Sequence, residues 1–261
     1  MRTALALIVS ASCFAAQPVF DVASVRPASR DGVTGFHGGP GTSDPARIFY
    51  LNVTLEALLS RAFNVRHDQI AGPAWLPLER FDINAKVPKG TTNEELLQML
   101  RNLLAERFAL ASHLEKREYL SYALTAARSG PKMTPNRSTL PPDSNRSSLR
   151  VQNGIARLNA VGLSMPGLAK MLSGVLDRPV VDQTGIAGVY DFTLNFPFEG
   201  VSGPARETML AMGNAPALAT PTNQNGLFAA LENQIGLKLE RGKNPVDFLI
   251  VDRISKTPSE N

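Results

Sequence analysis

Few residues in this chain have the type and setting to do chemistry. Asp182 follows the apolar pair Val180-Val181 and precedes Gln183-Thr184-Gly185, so an acid is delivered into a turn at the end of a strand-like run. An aspartate in that setting serves hydrolysis when a second carboxylate lies close enough to share its proton. Gln183 interrupts the Asp-Thr-Gly order, and the matching place earlier in the chain, Gln69-Ile70-Ala71-Gly72, supplies no second acid. What remains is a turn in which the Asp182 carboxylate accepts hydrogen bonds from the backbone just ahead of it.

The three histidines, His37, His67 and His113, have no His or Cys neighbour at ligand spacing, so the sequence predicts no zinc site and no other cofactor. Ser164 lies in Gly162-Leu163-Ser164-Met165-Pro166, which is not the Gly-x-Ser-x-Gly elbow of a serine nucleophile but does suit a helix cap. Gly35 to Gly41 holds four glycines without the lysine and hydroxyl of a phosphate loop; it reads as a mobile surface loop that a partner backbone can approach. Trp75, between Pro73 and Pro77, reads either as a plug closing its loop onto the core or as an exposed anchor for a partner. Phe248, in an expected outer strand of a terminal hairpin, marks an edge to which a partner strand could add.

Composition narrows the class. The chain has 261 residues, a net charge of +4 and 43% hydrophobic residues, enough to bury a core in each of two domains. Its Lys and Arg are scattered and aromatics make up only 7%, which argues against a basic nucleic-acid stripe or a base-stacking platform.

The elements repeat. Thr54 caps a helix with Leu55, Leu58, Leu59 and Ala62 on one face, and Phe81-Asp82-Ile83 follows as a strand. Thr92 or Asn93 caps a second helix with Glu94 and Glu95 in its first turn and Leu96, Leu100, Leu103 and Leu104 as its apolar stripe. Two further runs, from Phe108 to Glu115 and from Tyr119 to Ala126, read as a hairpin. Later, Asn153-Gly154 marks a tight hairpin, Ser164 caps a helix carrying Met165, Leu168, Met171, Leu172 and Val175, and Tyr190-Asp191-Phe192 is a strand. A Gly/Pro/Ala-rich excursion spans 199–224, a short helix covers 226–235, and two last runs read as a hairpin around Gly242 to Pro245. Val53-Thr54-Leu55 with Leu58 matches Leu163-Ser164-Met165 with Leu168. The expected fold is therefore α+β, two tandem copies of a small strand-helix-strand-helix-hairpin module.

The segment 1–16 reads as a signal peptide: a positive start at Arg2, an apolar stretch too short to span a bilayer, and small residues before a cleavage point after Ala15 or Ala16. Cys13, the single cysteine, falls inside it, so the mature chain has no disulfide; acylation of Cys13 is a minor alternative. The expected divisions are a first module at 17–128, a Pro/Ser/Asn-rich linker at 129–148, a second module at 149–254 and a tail at 255–261.

Two resemblances follow from particular residues. Gly162-Leu163-Ser164-Met165-Pro166-Gly167-Leu168, the strand from Tyr190 to Leu194, and Ile235-Gly236-Leu237-Lys238-Leu239 resemble the short N-terminal domain of secretins and of TonB-dependent signalling receptors. Pro166, Pro179 and the 199–224 insert depart from that pattern. Over nearly the whole mature length the chain is similar to an abundant exported family of unknown function from soil Acidobacteria. The residues that carry this are Phe20-Asp21-Val22-Ala23-Ser24-Val25, Ile70-Ala71-Gly72-Pro73-Ala74-Trp75, Arg80-Phe81-Asp82-Ile83, Asn102-Leu103-Leu104-Ala105-Glu106-Arg107-Phe108, Arg178-Pro179-Val180-Val181-Asp182-Gln183-Thr184-Gly185 and Tyr190-Asp191-Phe192. The first resemblance implies protein partners in the periplasm; the second implies no activity. The expected function is thus an exported, periplasmic or secreted, non-catalytic module that binds a protein or peptide partner of the cell envelope. The alternative is a hydrolase using Asp182 with a second carboxylate.

Overall fold

The computed structural model describes residues 18–29, 32–137, 147–202 and 225–259. The expected signal segment with Cys13, residues 138–146 of the expected linker and residues 203–224 of the expected excursion lie outside the described residues. Among the described residues no helix is long and apolar enough to cross a membrane.

The architecture is α+β, and the described residues form three sheets with helices packed between them. The first sheet is built from β1 (Val22–Pro27), β2 (Gly35–Gly38), β3 (Arg47–Thr54) and β5 (Arg80–Lys86), in the order β1-β5-β3-β2 and antiparallel throughout. Thr54 ends β3 and caps α1 (Leu55–Phe63), its hydroxyl accepting the Ala57 N–H at 3.0 Å, and Asn64 closes the helix in the left-handed conformation. Leu55, Leu58, Leu59 and Ala62 are all buried, as their spacing predicts.

The second helix, α2 (Asn93–Phe108), starts with a capping box: the Thr92 hydroxyl accepts the Glu95 N–H, and Glu95 accepts the Thr92 N–H at 2.7 Å. The Thr92 backbone bond, then the Thr92 hydroxyl, holds the Glu95 carboxyl below the usual glutamate range. A carboxyl lowered on folding contributes stability above its unfolded value and loses it as the pH falls through the folded value. The start of α2 should therefore fray first on acidification, and Glu95→Gln should flatten that pH dependence when amide exchange at α2 is followed from neutral to acid.

The second sheet contains β7 (Thr134–Pro135), β8 (Ser148–Gln152), β9 (Ile155–Ser164) and β11 (Val189–Pro197), in the order β7-β11-β9-β8. Asn153 and Gly154, both at positive φ, make the two-residue turn between β8 and β9. Ser164 caps α3 (Met165–Val175), accepting the Gly167 N–H at 3.0 Å. A last helix, α4 (Asn225–Ala230), runs into a π-helical turn at Leu231–Ile235.

Both sheets carry the same irregularity at the same place. Each helix-bearing strand bulges just before its cap, at Asn52 (φ 49°) and at Gly162 (φ 63°). The freed N–H donates to a carboxylate on the neighbouring strand, Asn52 to Asp82 Oδ1 and Gly162 to Asp191 Oδ1, each at 2.7 Å. Val53 then faces Phe81, and Leu163 faces Tyr190.

The third sheet overturns the expected terminal hairpins. Residues 111–126 do not fold back: they form one strand, β6 (Ala111–Ala126), and β12 (Leu237–Arg253) is likewise continuous through Gly242 and Pro245. The two pair antiparallel along their whole length, from Ala126 opposite Leu237 to Ala111 opposite Arg253. A ladder that long leaves no place for a turn; the glycine and proline that read as turn residues face Ser121 and Glu118 instead. Two short strands flank this ribbon in the order β10-β6-β12-β4. β4 (Ile70–Ala71) runs parallel to β12, and β10 (Val180–Asp182) runs parallel to β6, so each strand of the ribbon is bordered by a segment from the opposite half of the chain.

Among the described residues there are two hydrophobic cores, and the ribbon spans both. Leu249 and Val251 pack with Ile48, Leu58, Leu100 and Phe108; Tyr122, Leu124, Leu237 and Leu239 pack with Leu168, Leu172, Phe196 and Leu231. Met171, expected in the buried stripe of α3, is only half-buried. The start of the expected linker is bound to the second core: Met133 is buried there, Lys132 N–H donates to Ile235 at 2.9 Å, and β7 pairs with β11. The tail returns to the end of α2, where Ser255 N–H donates to the Phe108 carbonyl at 2.7 Å.

Candidate functional site

A cleft of about 730 Å³ opens where the two halves meet. Its walls are the outward faces of α1 and α3, contributed by Ala57, Ser60 and Arg61 on one side and Pro166, Lys170 and Ser173 on the other. The middle of the ribbon supplies Leu114, Lys116, Val246 and Asp247, and β10 supplies Val180 and Asp182. These positions follow from helix periodicity: Leu55, Leu58 and Leu59 turn the opposite face of α1 into the core and leave Ala57, Ser60 and Arg61 facing out.

Arg66 joins the two walls. Its side chain is 17% exposed, and its Nη1 donates to the carbonyls of Ser173 and Leu176 while Nη2 donates to that of Asp177 at 3.0 Å. A cation at the end of α3 meets the negative end of the helix dipole and the carbonyls left without intrahelical partners. Arg66→Ala should cost about 2 kcal/mol of stability, the worth of charged hydrogen bonds of this kind, in a urea titration. Arg66→Lys should recover only part, because one ammonium cannot span three carbonyls.

Arg61 is held differently. Its Nε donates to the Tyr50 hydroxyl at 2.9 Å, and its guanidinium carbon lies 5.1 Å from the Phe36 ring centre and 5.2 Å from that of Tyr50. Tyr50 is fully buried, and that burial pushes its phenol above the usual range, with Arg61 acting in the opposite direction, so the hydroxyl keeps its proton.

Asp182 does line the cleft, half-buried. Its Oδ1 accepts from the Thr184 N–H at 2.9 Å and from the Thr184 hydroxyl at 2.8 Å, which is the turn the sequence predicts. Asp247 is the other carboxylate on the lining; it stands opposite Lys116 in the ribbon. Gln183, which breaks the Asp-Thr-Gly order, donates to Asn244 at 2.8 Å, and Asn244 donates in turn to Ser121 at 2.9 Å, a polar link that ties β10 to the ribbon.

The histidines lie apart. His37 is on the edge strand β2, His67 pairs with Glu56 at 3.1 Å at the mouth of the cleft, and His113 pairs with Asp252 at 2.9 Å on the ribbon. Among the described residues no group of three or more His, Cys, Asp or Glu could hold one metal ion. Ser164 is engaged as the cap of α3.

The glycine-rich stretch is not a loose loop. Gly35 to Gly38 forms β2, and Gly39 N–H is tied to the carbonyls of both Asp44 and Arg47. Gly38, at φ 78°, has the Arg47 carbonyl oxygen in the space that a Cβ would take, so only glycine fits that turn.

Trp75 is half-buried against the first core with Lys256 Nζ 5.2 Å from its ring centre, while the neighbouring Leu76 is the side chain that is fully buried. Phe248 is not on an outer strand. β12 lies between β6 and β4, Phe248 is 8% exposed, and its ring meets Tyr119 edge-on at 5.1 Å beneath Arg117. Its position as an edge for strand addition is therefore corrected: the Asp247 carbonyl beside it already accepts from Gln69 Nε2 at 2.7 Å.

The cleft residues Phe36, Arg61, Arg66 and Lys116 were not singled out by sequence. Arg61 reads there as an ordinary basic residue in the last turn of a helix, and nothing local pairs it with Phe36 on a different strand. No curated protein and no solved structure matches the chain. A family model does: the one described as Protein of unknown function (DUF3738) covers residues 56–254, well over half of the chain, and the chain belongs to that family.

Proposed function

We propose that the protein is an exported, non-catalytic binding module, acting in the periplasm or outside the cell, that takes a protein or peptide partner in the cleft between its halves. The observation that carries this reading is the cleft itself: it is large enough for a ligand, since binding sites run to about 300–1,000 Å³, and it leaves apolar side chains open to solvent. Phe36 and Leu114 line it at 37% and 53% exposure. β2, which carries Phe36, is also an edge strand of its sheet among the described residues, so an extended partner segment entering the cleft has a backbone edge beside it. Asp182 supports the same reading, because one of its oxygens is committed to Thr184.

The cleft is also explained if the chain is two tandem copies of one module that exchange their last strands. The strand orders β1-β5-β3-β2 and β7-β11-β9-β8 correspond place for place, and so do the bulges at Asn52 and Gly162, the carboxylates Asp82 and Asp191, and the caps Thr54 and Ser164. Glu118 faces Pro245 in the ribbon; β10 pairs with Tyr122, four residues beyond the first, and β4 with Leu249, four beyond the second.

A photo-reactive side chain placed at Leu114 should crosslink a partner in the native envelope fraction, while one at Ile155, also exposed but on the β8–β9 turn, should not. Equal labelling from both sites would remove the cleft as the binding place. Hydrolytic activity lost in a still-folded Asp182→Ala protein would replace binding with the carboxylate hydrolase.

A further inference from the structure

We infer that the cleft recognises a carboxylate flanked by apolar side chains, presented by an acidic peptide, with the Arg61 guanidinium as its anchor. This rests on the binding reading above and names its ligand class.

Arg61 is positioned as a receptor would be. The rings of Phe36 and Tyr50 fix the plane of the guanidinium, and the Nε–Tyr50 bond fixes its rotation. Its two Nη atoms make no hydrogen bond among the described residues, and no carboxylate there pairs with it. A planar fork held in place with its donors unspent matches the two oxygens of a carboxylate. Arg66, by contrast, has both Nη atoms committed to α3 and takes no part.

The surrounding charge points the same way. Arg61, Lys116 and Lys170 line the cleft against Asp182 and Asp247, while Arg66 is ion-paired with Asp68 at 2.9 Å. Lys116 forms no ion pair among the described residues although Asp247 is its cross-strand neighbour. The lining is therefore cationic, which draws in an anion and repels a basic segment. Phe36, Phe63, Leu97 and Leu114 add apolar surface that a small hydrated anion would leave uncovered. An acidic peptide with interspersed apolar residues satisfies both.

The test uses the full chain and fluorescein-labelled hexapeptides in which Leu alternates with Glu, Gln, Lys or phosphoserine, followed by fluorescence polarisation at low and high salt. The Leu/Glu peptide should bind, and the Leu/Gln peptide should bind at least about tenfold more weakly. Arg61→Lys, which keeps a cation beside Tyr50, should weaken the Leu/Glu peptide about 10- to 100-fold, the worth of a charge-assisted hydrogen-bonded pair, and weaken the Leu/Gln peptide by a smaller factor. If that variant does not fold, Lys116→Glu at an exposed strand position gives the same reading, with the preference shifting from the Leu/Glu towards the Leu/Lys peptide. Equal binding of the Glu and Gln peptides overturns the carboxylate anchor while leaving the cleft as a binding site. Tighter binding of the phosphoserine peptide overturns carboxylate recognition in favour of phosphate. No binding by any peptide overturns both the anchor and the binding reading.

Discussion

Leu58→Ala and Leu168→Ala are each expected to cost about 2–5 kcal/mol of stability, the range for deleting a buried leucine when the cavity left behind collapses only in part. Leu58 is 1% exposed on α1 and Leu168 is 0% exposed on α3, each at the centre of its own core. Urea titrations followed by far-UV circular dichroism read the effect directly, since a change in midpoint at constant slope is a change in stability. The two substitutions should also behave alike in kind. The ribbon is packed into both cores, so damage to either should lower a single cooperative transition. Two separated transitions, with only one shifted by each variant, would show that the halves unfold independently.

Phe248→Pro should damage the fold more than either leucine truncation. Loss of the buried ring costs about 3–5 kcal/mol by itself, and Tyr119 and Arg117 lose the surface they pack on. Proline also removes a backbone donor and locks φ, which a strand interior accepts only at edges or bulges. β12 is an interior strand with β6 on one side and β4 on the other, and the affected position lies next to Leu249, fully buried in the first core. The variant should fail to accumulate as folded protein, whereas Val22→Pro, on the outermost strand β1 and 68% exposed, should be tolerated. Comparable soluble yield and melting for the two would mean that the ribbon is not the spine of the fold.

What could be read in the sequence was what depends on near neighbours. The stripe Leu55, Leu58, Leu59 and Ala62, the cap of α2 at Thr92 and the Asn153-Gly154 turn are each encoded within a few residues, and each forms where its pattern predicts. The likeness between Val53-Thr54-Leu55 and Leu163-Ser164-Met165 was also legible, because the strand residue before the cap, the cap and the first helical residue are consecutive. The ribbon was not. Whether Gly242 to Pro245 turns or continues depends on a partner strand more than a hundred residues earlier, and the charged stretch Glu115-Lys116-Arg117-Glu118 breaks the alternation that marks a strand. The error in Phe248 followed from that one, since a hairpin has an outer strand and a shared ribbon does not. The cleft was hidden for the same reason: Arg61 and Lys170, or Arg66 and Ser173, come to one cleft only once the two halves are brought together.

The ribbon has a further consequence for how the chain can be divided. A cut anywhere between residues 138 and 146 would sever the covalent path from one half to the other, yet β6 would still lie along β12, β4 along β12 and β10 along β6. The pieces should stay associated after nicking and run as one species until denatured. Made separately and mixed, they should reassemble by complementation, because each carries the strand that completes the other. A cut between β4 and β5 would instead part α1 from α2 and β3 from β5 within one core, so the tolerance of this protein to being split should be sharply uneven along its length.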